Sequence, residues 1–466
     1  MMKRIRPLLV VMVSLSSLLA ASTRHEGRPT VHTPTCGTWD VIYSPSPNNS
    51  ASLSGIANVP GTAELWSVGI YNGNFHWLTV TEHWDGTNWQ VITSPNYPSA
   101  DHYLYGVAAL AANDVWAVGR YEPDAGGSST LVLHWDGATW STVPSPNPAT
   151  YSGLYAVAAR AANDVWAVGY YYSSNAQRTL VEHWDGNTWS IVASPNVGTS
   201  DNFLEAVAVV PDSPNVWAVG TSYHSGGNST LVEQWNGSAW TVVPSPDGST
   251  RENYLTGVSS TGSNDAWIVG YYNNSTGLYL PLTEHWDGTS WQVVASPAVS
   301  SSLTALTAVS SLSSNDVWAV GTYFGPGAQL TLAQHWDGNS WQVFSTPNPA
   351  GTDFGAINVF GAVANVLGIG VWAAGYYEVT KPAAPALSLT AFYCPAGNPT
   401  PTPTATPSAT VTPTPTATPA PSATITPLST VTPTATATPT ATTTATATPR
   451  STPSHRPRPT SPPPRP

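Results

Sequence analysis

The chain has 466 residues and a formal net charge of −12, with 14 Lys and Arg against 26 Asp and Glu. Between Cys36 and Cys394 five basic residues, Arg120, Arg160, Arg178, Arg251 and Lys381, stand against twenty-five acidic ones, a formal charge near −20. That balance excludes nucleic acid and an anionic membrane surface as partners, because either requires a basic face.

In chain order, the basic stretch Met1 to Arg6 is followed by an apolar run from Leu8 to Leu19 and by the small residues Ala20-Ala21-Ser22. This is the order of a signal peptide, assigned to residues 1–22, with a linker over 23–35. The apolar run, about a dozen residues, is too short to cross a bilayer, and no other uninterrupted stretch reaches that length. The sequence therefore predicts a protein outside the cytoplasmic membrane, secreted or associated with the cell surface, without membrane insertion.

From Cys36 a unit of about fifty residues repeats. Its first marker is a tryptophan in a Val-Trp-Ala-Val-Gly-like segment, at Trp66, Trp116, Trp166, Trp217, Trp267, Trp318 and Trp372. A second series, Trp84, Trp135, Trp184, Trp235, Trp286 and Trp336, sits in His-Trp-Asp-Gly-like segments. The third, Trp89, Trp140, Trp189, Trp240, Trp291 and Trp341, leads into Ser-Pro or Thr-Pro. Each unit reads as four short strands, in the second copy Leu104 to Leu110, Val115 to Tyr121, Thr130 to Trp135 and Trp140 to Val143. Small residues such as Gly106-Val107-Ala108-Ala109 fill the first strand, and the tryptophans fill the later ones. That gradient suits a wedge-shaped blade, narrow at an axis and wide outside. The predicted fold class is all-β, a seven-bladed β-propeller over 36–397 with four antiparallel strands per blade.

The seventh unit lacks its fourth strand, and the chain supplies one at its other end. Trp39-Asp40-Val41-Ile42-Tyr43-Ser44-Pro45 matches Trp89-Gln90-Val91-Ile92-Thr93-Ser94-Pro95, while Leu389 to Cys394 matches Val80 to Asp85. Cys394 and Cys36 then fall at the Asp85 and Gly86 positions, which predicts a Cys36–Cys394 disulfide closing the last blade. In an exported chain such a bridge, spanning a loop of about 360 residues, adds roughly 5 to 6 kcal/mol at most by chain entropy.

With that strand order the unit resembles a kelch repeat: an aromatic and a glycine ending strand two, an aromatic-Asp turn after strand three, and a Trp opening strand four. It is similar to secreted bacterial propellers carrying Asn-Asp-Val-Trp-Ala-Val-Gly and His-Trp-Asp-Gly units. The double glycine of kelch is single here, as in Gly119-Arg120, Gly169-Tyr170 and Gly220-Thr221. The resemblance implies architecture and no particular activity.

The repeated polar residues read as scaffold. His83, His134, His183, His285 and His335 recur once per blade, too far apart for the roughly 2 Å bonds of one zinc site, so no metal is expected. Asp114, Asp164, Asp265 and Asp316 are expected to hold backbone amides in the turn between strands one and two. Asp85-Gly86 and its repeats read as hairpin turns. No Ser-His-Asp set, nucleophile elbow or phosphate loop appears, and four arginines without Ser-x-Asp-x-Gly-x-x-Trp boxes do not make a sialidase. No catalytic residue and no cofactor is predicted.

The loops between strands two and three, with the inter-blade crossings, vary from blade to blade on one face. Of the 21 tryptophans only Trp77 lies outside the repeated positions, and it falls on that face. Together with His76, Tyr103, Tyr172, Tyr223, Tyr272 and Phe324 it forms the predicted ligand-binding set, flat apolar platforms among neutral hydrogen-bonding groups. A glycan or wall polymer is the expected partner of a non-catalytic, monomeric binding module. A protein partner or structural role is the alternative, and a glycan-active enzyme the third reading.

The chain ends in a Thr/Pro-rich stretch, residues 398–466, that cannot bury enough apolar surface to order itself. It reads as a disordered stalk in which polyproline II spacing of roughly 3.1 Å per residue gives a reach on the order of 200 Å.

Overall fold

The computed structural model describes residues 35–173, 175–379 and 385–396. The signal peptide, the linker up to residue 34 and the Thr/Pro-rich stalk lie outside the described residues.

Twenty-eight strands are arranged as seven four-stranded antiparallel blades. In blade one the strands are Ala51–Asn58, Leu65–Asn72, Trp77–Trp84 and Trp89–Ile92, paired in chain order. Blades two to six repeat this order over 100–142, 152–191, 202–242, 252–293 and 304–344. The seventh contains Ile357–Val366, Gly370–Glu378 and Leu387–Tyr393, completed by the N-terminal strand Trp39–Ile42. Trp39 lies opposite Tyr393 and Ile42 opposite Thr390. The first strand of each blade packs on the first strand of the next, and that of blade seven on that of blade one, so the ring is closed. The Cys36–Cys394 disulfide, with Cα atoms 4.4 Å apart, occupies the place of the Asp-Gly hairpin turn of the other blades.

The three tryptophan series meet between blades. Trp66 of blade one packs on Trp135 and edge-on against Trp140 of blade two, with ring centroids 5.0 and 5.1 Å away. The same triad recurs around the ring and closes it, where Trp372 of blade seven meets Trp84 and Trp89 of blade one at 4.8 and 5.8 Å. Between blades six and seven Tyr393 stands in for the third-strand tryptophan, 4.8 Å from Trp318. The smaller ring leaves an outer-edge groove of about 340 Å³ lined by Trp39, Phe344 and Pro347.

The first strands are longer than the sequence pattern indicates: in blade two the strand runs Ala100–Ala111 and pairs as far as Ala100 opposite Pro123. They also carry a β-bulge that the pattern conceals. The extra residue is Tyr105 in blade two, Tyr155 in three, Glu205 in four, Thr256 in five and Thr307 in six. The glycine within each second strand, Gly119 in blade two, lies opposite the residue just before this bulge, and the strand continues past it. A Cβ on Gly119 would come within 1.8 Å of the Tyr103 carbonyl oxygen, so the position excludes any side chain. The small residues of the first strand also have a steric cause, because a Cβ on Gly106 would lie 2.9 Å from the Cα of Ala156 in the next blade.

Buried polar groups pin the crossings. His102 Nε2 accepts from Tyr97 N at 2.9 Å, and Asn202, Asn253 and Asn358 accept the equivalent amides through their Oδ1 atoms at 2.9 to 3.0 Å. At several crossings the serine of the Ser-Pro reaches the third strand of the following blade: Ser44 bonds Glu82, Ser245 bonds Glu284 and Ser296 bonds Gln334, whereas Ser94 and Ser194 bond Thr79 and Thr179 of their own blade.

Candidate ligand-binding face

In blade one the turn between strands two and three is tight. Gly73 N donates to His76 O at 2.8 Å, Asn74 N donates to Asn72 Oδ1 at 2.9 Å, and Asn74 takes a φ of 78°. The turn lifts Phe75 into solvent, 93% exposed, next to the half-buried Trp77. Blade two anchors this hairpin. Trp77 N donates to Asp101 Oδ1 at 3.0 Å, His76 Nδ1 lies 3.3 Å from the same oxygen, and Asp124 Oδ2 stands 4.0 Å from His76 Nε2. The backbone grip is a scaffold feature, since Gln177 N donates to Asp201 Oδ1 in the same way at 2.9 Å. The aromatic pair on top is particular to blade one.

The seven predicted residues do not converge. His76 and Trp77 stand together. Tyr103 lies nearer the axis, its ring nearly parallel to that of Tyr105 at 6.3 Å. Tyr172 is 45% exposed and donates its hydroxyl to Asn175 O at 3.1 Å, while Phe324, 39% exposed, stands alone on blade six. Tyr223 and Tyr272 are packed within the ring, Tyr223 beside Phe203 at 6.0 Å and Tyr272 against the core between blades four and five. Other exposed aromatics on this face are Phe75, Tyr97, Tyr151 and Phe354. Tyr97 and Tyr151 sit on crossings, where an aromatic that breaks the repeat is the only sequence signal.

On the opposite, uniform face each repeated histidine is held within its blade. Nε2 of His134, His183, His285 and His335 lies 2.8 to 3.0 Å from Asp114, Asp164, Asp265 and Asp316, and His83 lies 3.2 Å from Glu64. The rings stack on the second-strand tryptophans, His134 on Trp116 at 4.3 Å. This corrects the expectation that these aspartates hold turn amides. Each opens strand two, outside the turn, and its carboxylate meets the neighbouring third strand instead. The hairpin aspartates do bind amides: Asp85 Oδ1 accepts from Thr87 N and Asn88 N, both at 2.8 Å. Among the described residues no group of three or more His, Cys, Asp or Glu side chains is placed to hold a metal. Nor do the arginines gather. Arg160 pairs with Asp164 at 2.6 Å, Arg178 donates to the carbonyls of Thr199 and Ser200, and Arg251 to that of Ser275.

Four third-strand glutamates, Glu82, Glu182, Glu233 and Glu284, are fully buried, and burial pushes each carboxyl up to about 8. At neutral pH they are mostly protonated parts of the blade interfaces rather than charges facing a ligand.

Seven closed blades with one uniform and one variable, aromatic-bearing face define a β-propeller whose distinctive chemistry lies on its loops. No family model and no curated protein matches the chain. Among solved structures it is similar to YCF48 bound to a D1 peptide, with TM-score 0.49, 16% identity, and 78% of this chain and 99% of that one covered. It is also similar to a polysaccharide lyase of family PL25, an ulvan lyase, at TM-score 0.47 and 9% identity over 75% and 95% of the two chains. A third is SapL1 lectin in complex with alpha methyl fucoside, TM-score 0.40 and 14% identity over 63% and 95%. Likeness at this level carries no argument about activity.

Proposed function

We propose that the chain is an exported, monomeric, non-catalytic binding protein whose kelch-like propeller takes a glycan or wall polymer on its variable face. The observation that carries this reading is the blade-one hairpin, where the exposed Phe75 and the half-buried Trp77 stand beside the carboxylates of Asp101 and Asp124. Aromatic faces stack on the C–H faces of sugar rings, and carboxylates accept sugar hydroxyls. A rigid ring supporting a short loop supplies the preorganisation that such weak contacts require. The Cys36–Cys394 disulfide is compatible with an oxidising, extracellular compartment, and no helix among the described residues is long and apolar enough to cross a membrane. Affinity electrophoresis through gels containing neutral polysaccharides tests the reading. The native chain is retarded and Trp77→Ala runs free; equal mobility of both in every gel contradicts it.

A protein partner is the second reading. Phe75, Tyr97, Tyr151 and Phe354 are exposed on several blades, a spread suited to a broad surface. Capture of a partner that is insensitive to competing sugars would favour it.

A further inference from the structure

The bulge residues of the innermost strands stand in consecutive blades around the axis, and they are not equivalent. In blades five and six they are threonines whose hydroxyls join one blade to the next, Thr256 Oγ1 donating to Leu306 O at 2.9 Å and Thr307 Oγ1 to Phe360 O at 2.8 Å. In blades two and three they are tyrosines, Tyr105 and Tyr155, packed edge to face at 5.5 Å. A single cation belongs to this aromatic group. The guanidinium carbon of Arg120 lies 4.9 Å from the Tyr103 ring centroid and 5.7 Å from that of Tyr105, and Nη1 is 3.5 Å from the Tyr170 hydroxyl.

The blade interface is shaped around this side chain. Arg120 crosses from blade two over Gly153 of blade three, where an added Cβ would meet Arg120 Cβ and Cδ at 3.4 Å and the Tyr170 ring at 3.1 Å. The matching first-strand positions of other blades carry side chains, among them Tyr103, Phe203, Tyr254 and Ala305. Glu122 Oε1 forms an ion pair with the guanidinium, 3.0 Å from Arg120 Nε. Nη2 has no hydrogen-bond acceptor among the described residues, and the side chain keeps 19% of its surface open. The arrangement is a planar fork, oriented by a carboxylate, flanked by tyrosine rings and incompletely satisfied at its outer edge. Such a fork recognises a carboxylate with two parallel hydrogen bonds, and flanking aromatics suit the sugar ring that carries it.

We propose that Arg120, with Tyr103 and Tyr105 beside it and the buried Tyr155 and Tyr170 supporting it from within the ring, forms a subsite for a single uronate residue within an otherwise neutral glycan. The formal charge near −20 over Cys36 to Cys394 repels a polyanion, so an isolated carboxylate is the form of acidic sugar the site accepts. The proposal rests on the glycan reading and adds a substrate class to it.

Isothermal titration of the full chain with a xylo-oligosaccharide bearing one glucuronate, and with the same oligosaccharide lacking it, provides the test. The expected result is at least about tenfold tighter binding of the acidic form, abolished in Arg120→Gln. Arg120→Lys keeps the charge and most of the stem over Gly153 but loses the fork, so it keeps the native melting temperature and loses most of the preference. Trp77→Ala weakens both ligands and leaves their ratio unchanged. Equal affinity of the native chain for the two ligands, or a preference that survives in Arg120→Lys and Arg120→Gln, overturns the proposal. If both ligands bind equally and both depend on Trp77, the uronate subsite falls and the glycan reading stands; if neither binds, both fall.

Discussion

The hydroxyl of Ser44 donates to the buried carboxyl of Glu82, tying the Ser-Pro that follows the N-terminal strand to the third strand of blade one. Ser245 and Glu284 repeat this latch between blades four and five, and in blade six an amide takes the slot, with Gln334 accepting from Ser296 and donating to Pro297 O at 2.8 Å. A group that an amide replaces in the same fold is acting as a neutral hydrogen-bonding side chain.

The buried carboxyls predict an inverted pH profile. Glu82, Glu182, Glu233 and Glu284 are raised by burial from 4.5 to about 8, so between those values the folded state holds more protons than the unfolded state. Their contribution to stability is therefore complete below pH 4.5 and is lost as pH rises towards 8. His102 works in the opposite direction, since burial lowers its pKa and its share is lost as pH falls below 6.5. Four groups outweigh one, and the melting temperature is expected to be higher at pH 5 than at pH 8.5.

Glu233 isolates the effect, because neither of its oxygens has a hydrogen-bond partner. Blade two has Leu133 in the matching place, fully buried. Glu233→Leu is expected to stabilise the chain by about 1 to 3 kcal/mol at pH 8.5 and by less at pH 5, as read by denaturant titration.

Trp217 is wholly buried between Trp286 and Trp291 of the next blade, at 5.0 and 5.1 Å. Trp217→Ala is expected to cost about 3 to 5 kcal/mol. Trp77→Ala, at a half-exposed hairpin, should change stability by no more than about 1 kcal/mol. Thermal unfolding of the two variants checks the contrast.

Reducing Cys36–Cys394 frees the N-terminal strand from the covalent ring while leaving its four paired residues in place. The loss is expected to be about 2 to 5 kcal/mol, with earlier proteolysis near the N-terminus than in the oxidised chain.

The tryptophans made the ring legible in the sequence: three series with a common period fix strand order, blade number and, through Trp39, the closing strand. The bulge was hidden because one extra residue in a first strand of small side chains disturbs no alternation. Arg120 was hidden with it, since its role depends on Gly153, distant in sequence and glycine for a steric reason. The crossing pins were illegible because His102, Asn202 and Thr304 share only the ability to accept a hydrogen bond. Trp77 stood out by breaking the repeat, whereas Tyr223 and Tyr272 were rim positions whose rings turn into the blade contacts.

The most direct test of the account is a polysaccharide and glycan array probed with the oxidised full chain and with its Phe75→Ala/Trp77→Ala variant. The account predicts binding to a restricted set of glycans that the variant loses while keeping its melting temperature. A folded native chain that binds nothing, or binding that the variant retains in full, contradicts it.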